Sequence, residues 1–422
     1  MREVADLVVV GAGAAGLMAA IHAAERGVGR TLVFERSRDG GRKILISGGG
    51  RCNVLPSRLD PADFVTASSP NSLRKLLLSW PLAEQRRYFE KVLDIPLALE
   101  EETGKLFPVS NKARHVRDRL VEAARDHGAD FHFEHSVEGL RQDPDGLWTL
   151  DVTPMGTVRS RAVLLATGGL SVPATGSDGT GLRILEGLGH TIHDLYPALT
   201  PLTADPPPHG ELAGISLDVT MTAPRAPRRP TVRGGFLFTH RGWSGPTVLN
   251  LSHIAIRGEG EGLLEVRWSH ESAEEWDRRL RDAGQEEGAS VPVGGFVRRA
   301  LPQRLADRLL HEAGVPPETP LARFPRADRE RLSALLGAYP LPWTGDEGYR
   351  KAEVTGGGLA LAEVHPKRLE SRSHPGLFLA GELLDAFGPI GGYNFAWAWA
   401  TGRMAGRGAA DYLRQHDSGG GG

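Results

Sequence analysis

Continuous apolar runs and amphipathic stretches alternate along the first third of the chain. Residues 7–10 read Leu-Val-Val-Val and residues 31–34 read Thr-Leu-Val-Phe, a pattern typical of buried strands. Residues 71–92 and 112–127 carry apolar side chains at helical spacing, and Pro81 is expected to divide the first stretch into two helices. Because buried strands alternate with helices, the pattern predicts an α/β fold of the Rossmann type.

Shorter β-type runs follow these helices. Residues 95–109 predict a hairpin, and Asp145-Gly146 is a typical hairpin turn. Ala162–Gly169 predicts another buried strand, which ends in a turn of small residues where open α/β sheets bind ligands. Four further runs are expected to form a meander, at 130–134, 137–142, 147–152 and 157–160.

The pattern changes near Tyr196, where prolines separate short β-type runs, and the α/β pattern returns near Ala352. The stretch 271–338 is charged and helix-patterned, with proline breaks. The predicted organisation is a first part of a cofactor domain at 1–195, a β-rich inserted domain at 196–270 and 339–351, a helical insert at 271–338, a second part of the cofactor domain at 352–414, and a disordered tail at 415–422.

Composition and charge limit the partners to be expected. The 422 residues carry a net charge of −2, so we expect neither nucleic acid nor an anionic membrane surface as a partner. No apolar run reaches the roughly eighteen residues of a membrane span, and the opening run is interpreted as part of the fold rather than a signal peptide. We therefore expect a cytoplasmic monomer or homodimer acting on a small molecule.

Candidate chemistry begins directly after the first strand. Gly11, Gly13 and Gly16 form Gly-x-Gly-x-x-Gly between a strand and a helix start, the context that the dinucleotide fingerprint requires. The first glycine permits the turn, the second leaves room for a pyrophosphate, and the third lets the helix pack closely. Glu35 closes the second strand, where a carboxylate can hold the ribose hydroxyls. This arrangement predicts the binding site for the ADP half of a dinucleotide.

A second glycine-rich stretch, Arg42–Asn53, follows this carboxylate. Three consecutive glycines suit a loop that approaches a ligand closely, and the neighbouring Arg42, Lys43 and Arg51 can meet phosphates or a reduced flavin. The alternative is a flexible surface loop. The single cysteine, Cys52, excludes an intramolecular disulfide and a multi-cysteine metal site, and no metal is expected. Cys52 either faces the flavin or is a small buried residue.

The last third of the chain supplies the other end of a cofactor site. Glu382 follows a buried strand, where its carboxylate can accept hydrogen bonds from ribityl hydroxyls. The helix that starts near Gly392-Tyr393-Asn394 can direct its N–H groups at a flavin. We therefore predict non-covalently bound FAD. The residues expected to contact it are Gly11, Gly13, Ala14, Ala15, Gly16, Glu35, Arg36, Arg42, Lys43, Ser47, Gly48, Gly49, Gly50, Cys52, Asn53, Val137, Ala166, Thr167, Gly168, Gly169, Gly381, Glu382, Gly392, Tyr393, Asn394 and Phe395.

Taken together, these motifs resemble the aminoacetone-oxidase-type FAD-binding family, whose members are often labelled NAD(P)/FAD-dependent oxidoreductases. The resemblance rests on Arg42–Asn53, Ala166–Gly181, Phe238–Pro246, Ala380–Glu382 and Gly391–Asn394. It implies a split FAD domain, an inserted β-barrel-like domain and a helical insert within that domain. The chain departs from the family pattern at residues 54–57 and at Phe395-Ala396, which affects the expected substrate more than FAD binding.

Three functions are compatible with this site. The first is an FAD-dependent oxidoreductase that transfers hydride between FAD and a small amine or oxo compound, with reoxidation by O2 or another acceptor. The second is an NAD(P)H-dependent reductase of an enone or oxo substrate, with NAD(P)H as a transient electron donor. A disulfide reductase is disfavoured, because residues 258–262 have the wrong glycine spacing for a second fingerprint. The third is a non-catalytic flavin-binding regulator. Candidate catalytic residues are Lys43, His240, Tyr393 and Asn394.

Overall fold

The structure is a computed structural model that describes residues 4–286 and 291–418. It divides the chain into two units, which are described separately here. The first unit contains the residues up to Tyr196 together with those from Glu353 onward. The second unit is Pro197–Ala352, so both boundaries lie one residue from those expected from the sequence.

The strands and helices are numbered in chain order. The strands are β1 Ala5–Val10, β2 Thr31–Glu35, β3 Leu55–Pro56, β4 Leu97–Glu100, β5 Lys105–Pro108, β6 Ala129–Phe133, β7 Ser136–Gln142, β8 Trp148–Thr153, β9 Gly156–Leu165, β10 Ile192–Ala198, β11 Leu202–Thr203, β12 Ser216–Thr222, β13 Thr231–Phe238, β14 Gly242–Ser244, β15 Glu265–Arg267, β16 Tyr339–Pro340, β17 Gly345–Asp346, β18 Val354–Leu359 and β19 Leu377–Leu379. The helices are α1 Ala14–Ala24, α2 Arg42–Ile46, α3 Pro70–Leu77, α4 Leu82–Lys91, α5 Ala113–Asp126, α6 Thr180–Gly187, α7 Pro246–Ile256, α8 Ala273–Glu286, α9 Val293–Arg298, α10 Gln303–Glu312, α11 Arg326–Gly337 and α12 Tyr393–Ser418.

A parallel sheet forms the centre of the first unit. Strands β6, β2, β1, β9 and β19 follow one another across it, and Val8 of β1 pairs with Leu32 on one side and Val163 on the other. Leu7, Val8 and Val9 are fully buried, as the continuous apolar run predicts for a strand covered on both faces. The predicted α/β fold is confirmed.

Two details of the strand prediction are wrong. The run at 130–134 was expected in the meander, but β6 pairs in parallel with β2, and the meander is formed by β7, β8 and β9. The runs at 157–160 and 162–165 are one strand, β9, whose first half pairs with β8 and whose second half pairs with β1. Alternation along a strand does not identify its neighbour, because strand partners are chosen by tertiary packing.

Helix α12 packs closely on α1, which carries the glycine fingerprint. A Cβ on Gly402 would lie 2.4 Å from the Ala15 carbonyl oxygen, and one on Gly406 would lie 2.2 Å from that of Ala19. The helix continues to Ser418, so residues 415–418 are helical rather than part of the expected tail, and residues 419–422 lie outside the described residues. An ion pair from Arg161 to Asp417, at 2.5 Å, fastens this last turn.

The second unit contains an antiparallel sheet in the order β16, β15, β12, β13, β14, β11 and β17. Helices α8 to α11 fall within the stretch predicted as a helical insert. The core includes the fully buried indoles of Trp243, Trp268 and Trp276. Within the described ranges of the whole chain, no helix is long and apolar enough to span a membrane.

Candidate functional site

A cavity of about 550 Å³ extends through the first unit from the start of α1 to the start of α12. Its lining residues all belong to the first unit. Most of the predicted cofactor contacts line it, namely Gly11, Gly13, Ala14, Ala15, Glu35, Arg36, Arg42, Lys43, Ser47, Gly48, Gly49, Asn53, Val137, Ala166, Thr167, Gly168, Gly381, Glu382, Gly392, Asn394 and Phe395. The sequence motifs, distant along the chain, therefore meet around one elongated space.

The three fingerprint glycines have distinct environments. Gly11 has a φ of +100°, and a Cβ there would lie 2.5 Å from the carbonyl oxygen of Ala166 at the end of β9. A Cβ on Gly16 would lie 1.9 Å from the carbonyl oxygen of Gly11. Gly13 has no atom within 4 Å of the same position, so its backbone faces open space in the cavity. This is the arrangement that a pyrophosphate at a helix N-terminus needs.

Glu35 is fixed at the edge of the cavity by neighbouring donors. One carboxylate oxygen accepts from the backbone N–H of Ala12 at 2.9 Å. The other accepts from the backbone N–H of Ser37 at 2.9 Å and from its hydroxyl at 2.6 Å. A carboxylate has about four acceptor sites, so capacity remains for a ribose hydroxyl.

The glycine-rich stretch folds as a tight turn after α2. Gly48 and Gly49 have φ values of +55° and +67°, and Gly49 faces the cavity with no atom within 4 Å of a Cβ position. Cys52 follows the turn but does not line the cavity, and it is fully buried. Burial raises the pKa of its thiol to about 12. Of the two interpretations of Cys52, the structure therefore supports the small buried residue.

Lys43 and Glu382 form an ion pair in the cavity wall. The ammonium of Lys43 donates to Glu382 Oε2 at 2.6 Å and to the hydroxyl of Ser171 at 2.7 Å. Glu382 Oε1 accepts from that hydroxyl at 2.6 Å and from the backbone N–H of Thr355 at 2.9 Å. Burial favours a higher pKa for Glu382, but the charge and hydrogen bond of Lys43, together with the hydrogen bonds from Ser171 and Thr355, outweigh it and lower the pKa. The pair holds an ionised carboxylate and an ammonium beside the ligand space.

Several predicted residues lie elsewhere. Gly16, Gly50, Cys52, Gly169 and Tyr393 do not line the cavity. Gly169 is instead packed under the ion-pair network, where a Cβ would lie 2.3 Å from the hydroxyl of Thr355. His240 is an exposed residue of the second unit, between β13 and β14.

Asn394 lines the cavity, but its amide serves the turn before α12. The amide oxygen of Asn394 accepts from the backbone N–H of Gly388 at 2.9 Å, and its nitrogen donates to the carbonyl of Gly388 at 3.0 Å. With both ends of the amide engaged in this way, the side chain holds the start of α12 in place. Its role in this structure is positional.

Lys105 and Glu353 are among the charged residues of this cavity that no sequence motif indicated. Lys105 starts β5, and its Cε lies 3.6 Å from the Cβ position of Gly391, next to the start of α12. Glu353 directly precedes β18 and is accessible from the cavity. The side chain is exposed to the cavity, but desolvation by the surrounding protein raises the pKa of Glu353, and the charges of Lys105 and Lys43 oppose the shift. The sequence feature that could have indicated Glu353 is a carboxylate placed immediately before an apolar, glycine-rich strand.

The cavity fits a dinucleotide such as FAD. The amide oxygen of Asn53 and the hydroxyl of Thr167 are buried and have no hydrogen-bond partner among the described residues, and both residues line the cavity. Such groups are costly unless a ligand satisfies them. Helix N-termini at both ends of the space supply N–H groups for phosphates and for a flavin carbonyl.

Fold and site together define a protein of the Rossmann dinucleotide-binding class. Residues 5–408 match the family described as HI0933-like protein Rossmann domain, and the chain belongs to this family. It is an FAD-dependent oxidoreductase. The predicted cofactor, enzyme class and family resemblance are thereby confirmed.

Curated relatives match nearly the whole chain. The chain is 32% identical over 400 residues to the ribosomal RNA dihydrouridine synthase of Escherichia coli (strain K12), covering 94% of this chain and 96% of the relative. It is 30% identical over 409 residues to the 3-dehydro-bile acid delta(4,6)-reductase of Clostridium scindens, covering 96% and 98%. A ribosomal RNA dihydrouridine synthase of Haemophilus influenzae is 30% identical over 413 residues, covering 95% and 97%.

Solved structures share the fold at low sequence identity. The 3-ketosteroid-delta4-(5alpha)-dehydrogenase of Rhodococcus jostii RHA1 is 17% identical, with a TM-score of 0.51 and 97% of each chain covered. A flavocytochrome c3 fumarate reductase in its open conformation is 16% identical, with a TM-score of 0.50, covering 98% of this chain and 79% of that one. These likenesses concern the fold alone.

Proposed function

We propose that this protein reduces a carbon–carbon double bond conjugated to a carbonyl, and that a uracil ring in RNA is its substrate. The observation that carries the proposal is the near-full-length similarity to relatives named for two such reductions. Dihydrouridine is uridine with hydrogen added across the double bond next to a ring carbonyl, and a 3-oxo steroid with a Δ4 double bond contains the same conjugated unit. The names of these two relatives thus describe the same reaction, reduction of a conjugated double bond, on two different substrates.

The choice of RNA departs from the expectation drawn from net charge. Two of the three relatives described above are named for ribosomal RNA, and the match to each covers at least 94% of this chain. A net charge of −2 describes the sum over the chain and not the local surface that meets a substrate. The small enone remains the second candidate, because the bile acid reductase is similar over 96% of the chain.

The proposed reaction adds two electrons and two protons to the double bond. Bound FAD in its reduced form would supply the hydride for the carbon β to the carbonyl, and a proton would add to the α carbon. The electrons come from a reduced nicotinamide, which gives a hydride and leaves in its oxidised form. In this scheme O2 is a competing acceptor rather than the physiological one.

Residues of the cavity supply charge stabilisation and the proton. Negative charge develops on the substrate carbonyl oxygen as hydride adds, and the ammonium group of Lys105 favours such charge in this cavity. The N-terminus of α12 adds about 0.3–1 kcal/mol of stabilisation for a nearby anion. The raised pKa of Glu353 keeps its carboxyl protonated to higher pH than usual, so this side chain is suited to donate the proton.

The proposal is tested with holoenzyme reduced by NADPH under anaerobic conditions. The reduced protein is mixed with a uridine-rich RNA oligonucleotide, with a 3-oxo-4-ene steroid, or with O2, and the absorbance of oxidised flavin is followed. We expect RNA to restore the oxidised spectrum and to gain the mass of two hydrogens per modified uridine. Reoxidation by the steroid alone would favour the small enone, and reoxidation by O2 alone would overturn both substrates.

A further inference from the structure

A second cavity of about 440 Å³ lies in the first unit, beside α1, α4 and α12, and shares no lining residue with the FAD cavity. Cationic side chains dominate its wall, with Trp80 and Tyr88 as aromatic neighbours. The cations are Arg26, Arg87, Lys91, Arg403 and Arg407. The acids in the wall are Glu25 and Glu84. The wall therefore carries more positive than negative charge.

Ion pairs within the protein balance only part of the positive charge of this wall. Both oxygens of Glu25 are engaged, one with His22 Nδ1 at 2.7 Å and the other with the hydroxyl of Tyr88 at 2.7 Å. Arg26 pairs outside the wall with Asp411 at 2.8 Å. Burial lowers the pKa of His22, so this imidazole adds little positive charge. Four cations thus remain against the two carboxylates of Glu25 and Glu84, so positive charge stays in excess in this wall.

Two of these cations are forced together by the helix that carries them. Arg403 and Arg407 are one turn apart on α12, a spacing at which like charges destabilise a helix. Burial lowers the pKa of Arg403 and the charge of Arg407 lowers it further, while the carboxylates of Glu84 and Glu25 oppose the shift. The guanidinium of Arg403 lies 4.9 Å from the ring centre of Trp80, and its Nη1 is 3.4 Å from the carbonyl oxygen of Ser79. The two like charges of Arg403 and Arg407 are therefore held close together on helix α12.

Phosphate is the anion that this wall suits best. Guanidinium groups match phosphate oxygens in planar, paired hydrogen bonds, and three of these four cations are arginines. A cavity of 440 Å³ also admits the sugar or base attached to a phosphate. The N-terminus of α12, at the FAD cavity, is ten residues from Arg403, or about 15 Å along the helix. A phosphate held here is therefore separate from those of the cofactor.

We propose that this second cavity is a phosphate-binding site that takes a phosphate monoester or diester. A free nucleotide and an RNA strand present the same group, and the inference stands independently of the proposed substrate. Occupation by a dianion or diester relieves the repulsion between Arg403 and Arg407 without any change in the fold.

The test measures binding of three probes to the FAD-loaded protein. The probes are inorganic phosphate, adenosine 5′-monophosphate and a labelled single-stranded RNA oligonucleotide. Arg407→Gln and the exposed Arg87→Gln each remove one wall cation, while Arg86→Gln, one residue away on α4 and paired with Glu90 at 2.9 Å, is the matched control. The absorbance of bound FAD verifies that each variant is folded.

We expect Arg407→Gln to weaken binding of at least one probe by about tenfold, since a hydrogen bond to a charged group is lost. Arg87→Gln should weaken the same probe, and Arg86→Gln should bind as the parent protein does. Competition by the monophosphate identifies a free nucleotide as the source, and binding of RNA alone identifies a strand. The proposal is overturned if no probe binds, or if both wall variants bind each probe as tightly as Arg86→Gln.

Discussion

Glu353 is the residue whose environment says most about the chemistry of the FAD cavity. Its side chain is exposed to the cavity, and the ammonium groups of Lys105 and Lys43 act to lower its pKa, yet desolvation by the surrounding protein raises the pKa. The neutral carboxyl is then the form present over more of the pH range. A group in this state is suited to donate a proton within the FAD cavity that it lines.

Replacing this carboxyl tests that role directly. Glu353→Gln keeps the shape but holds no transferable proton, so reoxidation of reduced flavin by the RNA oligonucleotide should slow by about 10²–10⁴-fold. In the parent protein, the rate of flavin reoxidation should fall as pH rises through the raised pKa of Glu353. This decrease with pH should be absent in Glu353→Gln. Glu102→Gln, an exposed residue between β4 and β5, is the control. An unchanged pH profile in Glu353→Gln would assign the proton to another group.

The ion pair of Lys43 and Glu382 makes a second prediction. Lys43→Met leaves an ionised carboxylate largely buried without its cation, which should lower the free energy of unfolding by about 1–3 kcal/mol and weaken FAD binding. Urea denaturation followed by the visible circular dichroism of FAD measures both effects. Lys75→Met, exposed on α3, is the control. Equal stability of the two variants would show that the pair contributes nothing.

At the scale of elements, the contact between α1 and α12 sets the length of the FAD cavity. The glycine fingerprint lies at the start of α1 and the flavin end lies at the start of α12. Gly402 and Gly406 allow the two helices to approach within contact of backbone atoms. The position of the two helix N-termini therefore depends on residues that touch no ligand.

Two glycines in helices should respond to alanine in opposite ways. Gly406→Ala places a Cβ 2.2 Å from a backbone oxygen of α1, so we expect a loss of about 1–3 kcal/mol of stability and weaker FAD binding. Gly187→Ala in α6 meets no atom within 4 Å, and alanine should be neutral or stabilise by up to about 1 kcal/mol. Thermal unfolding of the two variants makes the comparison. Similar shifts in both would contradict the close helix contact.

Local sequence patterns predicted helices and strands correctly where the structure depends on a single short stretch of the chain. Helices α3 and α4 separate at Pro81, and β4 and β5 form the expected hairpin. The three consecutive glycines at 356–358 lie within strand β18, where glycine is unfavourable by propensity. Gly356 fits there because a Cβ would lie 2.2 Å from the ring of Tyr196, a contact that no local pattern reveals.

At the scale of the whole molecule, stability in acid should depend on a buried cluster of the second unit. Burial favours a higher pKa for Glu312, but hydrogen bonds from His209 and Arg308 prevail and lower the pKa to about 2. A carboxylate with a lowered pKa stabilises the fold above its unfolded pKa near 4.5, and this contribution is lost as pH falls towards 2.

The pH dependence can be localised to this unit. Amide hydrogen exchange measures the protection of α10 in the parent protein and in Glu312→Gln. As the pH falls from roughly 6 to 3, the parent should lose more protection than the variant, because the variant has no carboxylate to titrate at this position. Glu318→Gln, exposed beyond α10, should follow the parent. The same loss in all three proteins would assign acid sensitivity to other groups.

The ADP-binding part of the FAD site is easier to predict from sequence than the part that contains Lys43 and Glu382. Gly11, Gly13 and Glu35 form one local unit of strand, turn and helix, so their spacing carries the prediction. The pair of Lys43 and Glu382 joins residues 339 positions apart and exists only after the chain has returned to the sheet. Long-range contacts of this kind are set by topology, which no short pattern encodes.

The central claim is that the cavity of the first unit reduces a conjugated double bond in a uracil ring. Its most direct test is anaerobic mixing of NADPH-reduced holoenzyme with the uridine-rich RNA oligonucleotide, followed by mass analysis of its nucleosides. We expect dihydrouridine in proportion to the flavin reoxidised, with much slower formation in Glu353→Gln. Flavin that stays reduced with this RNA, or that is reoxidised without dihydrouridine, would contradict it.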